Sequence, residues 1–390
     1  MTIDEVKIPK IRIPVADVTN LDIQSYGKGN NYPQMILQLL GASSNAKSCV
    51  GRYAKFIRGA GFKDSLFYKS IVNMKGQTCD TLLRLCSDDL AKFGGFALHI
   101  NYNLLCEITS VEHIPFEDCR LCIDDDTGYI AKIGIHPDWT CSKGKKKIKK
   151  PSKNTIAYTD VFNPNPDVVL SQIVAAGGIE VYKGQTLYVS KDGFMVYPST
   201  IYDSAITDIS TDEGLANVRY RNVRSNFLPM GMFVYPKGQK VMVEDKDGNW
   251  VEGTEYQNGF DAAKFKDFQG DSEACKILGV GREDGDDVPQ FVEFPTKNFD
   301  KDFTVTKDAV AEEIHAAFNQ EVFYRIRSGA LGFSNDIIND AFNFYNAMTI
   351  DERVLMEQSF RSVFSHFAYP VNQTNDYSLI PLSYEVQSVL

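Results

Sequence analysis

The chain has 390 residues, 43% of them hydrophobic and 24% charged, with a formal net charge of −10 at pH 7. That composition suits a globular protein with a real core and enough length for two or three domains. An acidic balance excludes a protein that coats nucleic acid with its whole surface, so any such contact is local. Eight cysteines are too sparse for a disulfide-stapled secreted scaffold. The start "MTIDEVKIPK" lacks the apolar segment of a signal peptide, and no stretch approaches the roughly 18 apolar residues that span a bilayer. The expectation is a soluble protein, with no membrane contact, folded in a reducing cytoplasm.

In chain order, "NNYPQMILQLLGASSNAKSCVGRYAKFIRGAGF" places Met35, Ile36, Leu39 and Leu40, then Val50, Tyr53, Phe56 and Ile57, at helical spacing. The Gly-Ala-Ser-Ser between them predicts one interrupted helix or two short ones. A further helix follows in "TCDTLLRLCSDDLAKFG", with Leu82, Leu83, Cys86 and Leu90 on one side. The period then changes to two: "FALHINYN", "CEITSVEHI", "GYIAKIGIH", "IEVYKGQTLYVS" and "GFMVYPST" read as short strands. In the third, Tyr129, Ala131, Ile133 and Ile135 alternate with Ile130, Lys132 and Gly134, a half-buried pattern.

Beyond residue 206 the character changes. "ITDISTDEGLANVRYRNVRSNFLPMG" predicts a polar helix with acids early and arginines late, an order that suits the helix dipole. Its thin apolar stripe is unlike that of a helix buried inside one domain. A small insert of strands and one short helix spans roughly 230–300 and carries the acidic run Glu283, Asp284, Asp286 and Asp287. A helix restarts in "TVTKDAVAEEIHAAFNQEVFYRI", with Thr306 as its expected cap and Val310, Ile314, Ala317 and Phe318 on one face. After the basic, glycine-bearing "RIRSGALGFS" comes the strongest helical signal in the chain, over 335–367. "TIDE" at 349–352 has the form of a capping box and predicts a kink or restart there. "DYSLIPLSYEVQ" reads as a terminal strand.

This order resembles that of the portal, or head–tail connector, proteins of tailed bacteriophages, of the compact type. "RSNFLPMGMFVYP" is similar to their stem-to-clip exit, and "FKDFQGDSEACKILGV" to the clip's helix–Gly–strand passage. "EEIHAAFNQEVFYRIRSGALGFSNDIINDAFNFYNAMTIDERVLMEQSF" looks like the second stem helix, tunnel loop and wing helix together. The likeness covers most of the chain through loose patterns. "NQEVF" stands where portals usually carry a proline after the second stem helix.

The resemblance implies an α+β, ring-forming, portal-like fold. Its parts would be an N-terminal wing (1–205), stem helix 1 (206–229), a small α/β clip (230–300) and stem helix 2 (301–324). A tunnel loop (325–334), a long kinked wing helix (335–368) and a C-terminal wing strand (369–390) would complete it, with the crown absent or vestigial. It further implies a dodecameric homo-oligomer at one capsid vertex of the virion, assembled in the host cytoplasm. Double-stranded DNA would be packaged and ejected through it without sequence specificity. Terminase, the head–tail adaptor and the major capsid protein would be its partners. Arg325, Arg327, Ser328, Gly329, Gly332 and Phe333 would face the DNA channel. The acids at 283–287 would form a channel mouth or docking face; read alone, they are equally a solvated turn.

Other candidates carry less. Lys143 and the run Lys145, Lys146, Lys147, Lys149 and Lys150 form a basic patch able to meet nucleic acid or an acidic partner, though a solvated hairpin loop is the plainer explanation. Cys119 and Cys122 have zinc-knuckle spacing, with Cys106 and His113 near in sequence, but a structural zinc site needs two paired elements and only one Cys-x-x-Cys is present. Neither a nucleophile–histidine spacing nor a phosphate-binding Gly-x-x-x-x-Gly-Lys-Ser/Thr loop occurs, so no catalysis and no cofactor is expected. The alternative is a metal-dependent nucleic-acid processing enzyme using Cys106, His113, Cys119 and Cys122.

Overall fold

The computed structural model describes residues 13–141, 149–225, 231–234, 239–244, 249–257, 290–293, 299–332 and 334–384. The chain divides into two compact units, one made of Met1–Ser210 with Ala311–Leu390, the other of Thr211–Val310. It is a mixed α+β protein.

The first unit opens with a small hairpin, β1 (Asp17–Val18) and β2 (Ile23–Gln24), and then two helices, α1 (Tyr32–Ala42) and α2 (Ser44–Arg58). The expected interruption is a single residue. Ser43 leaves the helical conformation and its hydroxyl accepts from the Ala46 amide, capping α2. α3 (Ser65–Lys69) and α4 (Cys79–Phe93) follow, and α4 buries Leu82, Leu83, Cys86 and Leu90 as its periodicity requires.

Six strands form the sheet: β3 (Gly95–Tyr102), β4 (Ile108–Ile114), β5 (Cys119–Leu121), β6 (Lys132–Ile135), β7 (Ala157–Val161) and β8 (Gln185–Ser190). Their spatial order is β4-β3-β8-β7-β6-β5, antiparallel except for the parallel pair β7 and β8. Parallel neighbours need a crossover. α5 (Pro166–Ala176) provides it; the alternating-period reading does not contain this helix because its sequence is apolar nearly all round.

Three expected strands are shortened or lost, each through a side chain or glycine that competes with the ladder. Asp125 Oδ1 accepts from the amides of Thr127 and Tyr129, both at 2.9 Å. This turn leaves Tyr129 and Ala131 exposed and Ile130 buried, so β6 starts only at Lys132 and the alternation drawn from Tyr129 is corrected. "IEVYKGQTLYVS" gives a strand only in its second half, because Gly177 and Gly178 take positive φ at the exit of α5. "GFMVYPST" is no strand: Asp192 Oδ2 accepts from both the amide and hydroxyl of Ser199 at 2.7 Å, closing a turn, and Met195 takes φ 53°.

α4 packs on β3, and α2 on α4. At the far end of the sheet Arg120 is fully buried with neutral acceptors around it. It donates to the side chain of Asn30, to the backbone oxygens of Glu117 (2.9 Å), Cys119 (2.7 Å) and Asn30 (3.0 Å), and to Gln34 Oε1 (3.3 Å). A charge withdrawn from water is held this way by dipoles, and the segment leading into α1 is tied to β5.

α6 (Ile206–Ser225) leaves the first unit and α7 (Phe299–Ala317) returns to it. Thr306 lies inside α7 and does not cap it. In the second unit β9 (Gly231–Val234) pairs with β12 (Gln290–Glu293), and β10 (Gln239–Glu244) with β11 (Trp250–Gln257), both antiparallel. α8 (Glu321–Arg327), α9 (Asn335–Met348) and α10 (Ile350–Phe364) complete the chain's helices among the described residues. The restart at "TIDE" is present, but its chemistry differs from a capping box. The Thr349 hydroxyl donates back to the Tyr345 carbonyl at 3.0 Å, and Glu352 accepts from the Tyr53 hydroxyl at 2.6 Å.

The expected terminal strand is an extended strap. Ala60 donates to the Ile380 carbonyl (2.8 Å), Ile380 to that of Gly61 (2.9 Å) and Lys63 to that of Ser378 (2.9 Å). Pro381 has no amide to continue the ladder. Phe62, Phe67, Phe360, Phe364 and Tyr377 form the edge-on and tilted aromatic contacts beneath it. The strap depends on Gly59, which sits at φ 59° and where a Cβ would lie 2.1 Å from the Ile380 oxygen. Gly59→Ala is expected to lower unfolding free energy by about 1–3 kcal/mol and to speed hydrogen exchange at Ala60 and Ile380. Unchanged denaturation and exchange would refute the role given to this glycine.

Candidate functional site

The segment from Ala317 to Ser334 is built around a break. α7 stops at Ala317, Asn319 takes φ 55°, and the His315 carbonyl accepts from the amides of Phe318 (3.2 Å) and Gln320 (2.8 Å). Asparagine is among the few residues that tolerate this left-handed conformation. α8 then starts at Glu321, so Arg325 and Arg327 lie on a helix rather than in the connection that follows it.

Gln320 is fully buried and has every side-chain polar atom engaged. Its Oε1 accepts from Arg52 Nη1 at 2.6 Å, and its Nε2 donates to the Cys49 carbonyl at 2.9 Å and to the Tyr345 hydroxyl at 2.7 Å. Tyr345 in turn donates to the Phe318 carbonyl at 3.0 Å. One amide thus joins α2, the break and α9. Around it Phe323 packs against Phe56 and Tyr345, and the Arg52 guanidinium lies over the Phe323 ring, 4.9 Å from its centroid. Neither Gln320 nor Arg52 is marked by sequence pattern. Both look like ordinary polar residues until the fold brings positions 52, 320 and 345 together.

The connection from α8 to α9 is short and internally bonded. Ser328 donates to the Tyr324 carbonyl (2.8 Å), Gly329 to that of Ile326 (3.2 Å) and Leu331 to that of Arg325 (3.2 Å). These bonds occupy carbonyls that the end of α8 leaves without intrahelical partners. Gly329 adopts φ 79°, as such a helix exit demands. Ser334 caps α9, accepting from the Ile337 amide at 3.3 Å. Arg325, Arg327, Ser328, Gly329 and Gly332 are all exposed, and Phe333 lies outside the described residues. Among the described residues no carboxylate pairs with Arg325 or Arg327.

A thiol, a guanidinium and an imidazole lie beside this surface. Burial pushes the Cys49 thiol up to about 12 against the pull of Arg52 and Arg327. Burial also lowers the Arg52 guanidinium, with the charge of Arg327 acting in the same direction. His315, buried with its Nδ1–H donating to the Ala311 carbonyl at 2.7 Å, is held below its ordinary value by burial and by Arg52 and Arg327.

The remaining sequence candidates are not brought to this place. Glu283, Asp284, Asp286 and Asp287 lie outside the described residues, as do Lys143, Lys145, Lys146 and Lys147; Lys149 and Lys150 are exposed. Cys106, His113, Cys119 and Cys122 do not assemble into a metal-holding group. His113 Nε2 is bonded to Asp89 Oδ2 at 2.7 Å. Cys119 and Cys122 are buried, and burial raises both thiols, Cys122 to about 12.

A pH dependence follows from His315. Its folded value lies below the ordinary 6.5, so the unfolded chain takes up the proton first as pH falls. Its contribution to stability is complete above about pH 6.5 and is lost progressively below it. His315→Gln, whose amide can donate to the same carbonyl, should flatten the fall in Tm between neutral and mildly acidic buffer relative to the parent chain. An identical fall in both proteins would refute this.

No protein-family model matches the chain, and no curated protein sequence does. Solved structures do. A chain from the neck of an empty GTA particle, computed with C6 symmetry, has 11% sequence identity and a TM-score of 0.50, the alignment covering 86% of this chain and 82% of that one. Chains from the virion of a native gene transfer agent particle (11% identity, TM-score 0.49, 86% and 82% covered) and from the neck of a native GTA particle computed with C12 symmetry (13%, 0.46, 87% and 82%) are also similar. The first of these likenesses is one of fold: the chain shares its α+β architecture with a component of a particle neck.

Proposed function

We propose that this protein is a portal of the tailed-bacteriophage type, a ring of identical subunits at one capsid vertex through which double-stranded DNA is packaged and ejected. The observation that carries the reading is the order α+β unit, α6, small second unit, α7, basic segment and broken long helix, shared as a fold with a protein of a particle neck. In this reading the ring is dodecameric. α8 and its exit form the tunnel segment, with Arg325, Arg327, Ser328, Gly329, Gly332 and Phe333 toward the DNA. The packaging terminase and afterwards the head–tail adaptor dock on the second unit, whose acidic run Glu283, Asp284, Asp286 and Asp287 forms the channel mouth. The basic run from Lys145 to Lys150 meets the capsid shell or packaged DNA, and the assembled protein resides in the virion.

Physical chemistry supports the assignment of the basic segment. Exposed arginines without acidic partners make salt-sensitive phosphate contacts that read no sequence, as a channel for any genome requires. The polar surface of α6 suits a helix packed between subunits. Cys106, His113, Cys119 and Cys122, the residues of the metal-enzyme alternative, form no metal-holding group among the described residues.

Arg325→Ala combined with Arg327→Ala is expected to leave the ring assembled while lowering packaged or retained DNA on the order of tenfold, since two phosphate contacts per subunit are removed. Nuclease-protected DNA per particle measures this. Normal packaging by the double variant would remove the role assigned to the segment.

A further inference from the structure

Two arginines, Arg52 and Arg327, lie on one side of α8, and neither pairs with a carboxylate among the described residues. Arg52, half-buried on α2, is fixed by its bond to Gln320 and by the Phe323 ring beneath it. That uses one of the five N–H groups of the guanidinium; the others make no hydrogen bond among the described residues. Arg327 is exposed on the last turn of α8. Arg327 follows Phe323 by four residues on α8, so it lies one turn along the side of the helix that carries the ring under Arg52. Arg52 has the Cys49 thiol, His315 and the Tyr345 phenol around it, and neither arginine forms an ion pair with a carboxylate among the described residues. Arg325 does not belong to this pair, because residues two apart on a helix point about 200° away from each other.

α2 has a second peculiarity at the same place. Gly51 is exposed in the middle of the helix, where a Cβ would meet nothing within 4 Å. Glycine in a helix interior is unfavourable, and no packing inside the described chain explains it. Its absent side chain leaves α2 open to close approach next to Arg52, with Ser48 and Lys55 exposed on the same face.

We propose that Arg52 and Arg327 together clamp one phosphate group, with Gly51 leaving room for the chain that carries it. The inference rests on the DNA-conducting reading for the source of that phosphate, the backbone of a duplex. Guanidinium groups suit it because their forked donors match phosphate oxygens. An anion between two like charges also relieves their repulsion. The clamp makes α2 part of the DNA-facing surface, and makes Gln320 the residue that positions it.

The test uses the full chain in the assembly it forms. Fluorescence anisotropy of a short labelled duplex is measured for the parent protein, Arg52→Gln, Arg52→Lys, Arg327→Gln and the Arg52→Gln/Arg327→Gln double variant, with inorganic phosphate as competitor. Each Gln variant should weaken duplex binding about tenfold, and the double variant hardly more than either, because all three lose the same phosphate. Arg52→Lys, which keeps the charge, should recover part of the affinity, and inorganic phosphate should compete only where both arginines are present. Unchanged binding by Arg52→Gln or Arg327→Gln overturns the clamp while leaving the DNA-conducting reading intact. So does a double variant that loses the product of the two single effects. Phosphate binding through both arginines, with no duplex binding by the parent ring, would keep the clamp and overturn that reading.

Discussion

The buried amide of Gln320 is the contact on which the basic surface depends. Withdrawing an amide from water is costly unless all its polar atoms find partners. Here Arg52, the Cys49 carbonyl and the Tyr345 hydroxyl meet that requirement. Those partners come from α2 and α9, so α8 is fixed against both by directed bonds as well as by the Phe56, Phe323 and Tyr345 rings. The left-handed turn at Asn319 is what lets Gln320 point inward while Arg325 and Arg327 remain in solvent. A continuous helix from α7 would carry those arginines to other azimuths.

The same division of labour recurs elsewhere. Arg120 and Arg353 are buried among carbonyl, amide and hydroxyl acceptors. Arg353 holds the break between α9 and α10 through Thr349 Oγ1 (2.8 Å) and the Phe56 carbonyl (3.2 Å). Buried cations fix where segments distant in sequence meet. Cations left outside, among them Arg325, Arg327, Lys149 and Lys150, are available to partners. An acidic chain thereby presents a local basic surface without being basic overall.

Periodicity made much of this legible. α2, α4 and α9 were readable because their apolar residues recur at three and four, and β3, β4 and β8 were read as strands, whereas β7 in the middle of the sheet was not. What was not legible had a physical cause in each case. α5 is apolar on both sides, so its period is blurred; Leu170 and Val174 are exposed while Val169 and Ile173 are buried. Asp125 and Asp192 cut strands short through bonds to their own neighbours, which hydropathy does not register. The break at Asn319 and the node at Gln320 depend on contacts between residues some 270 positions apart, and no local pattern encodes them. Of the site, the arginines and glycines of 325–332 could be named in advance. Arg52 could not, and neither could the placement of the arginines on a helix.

On the portal reading proposed above, α8 lines a channel formed by several copies of this chain. Cryo electron microscopy of the purified protein, alone and with capsid protein, measures that directly. The expected result is a closed ring with a lumen wide enough for a DNA duplex and with the Arg327 side chains of every copy at its wall. A ring carrying α8 on its outer rim, or no ring under either condition, would contradict it.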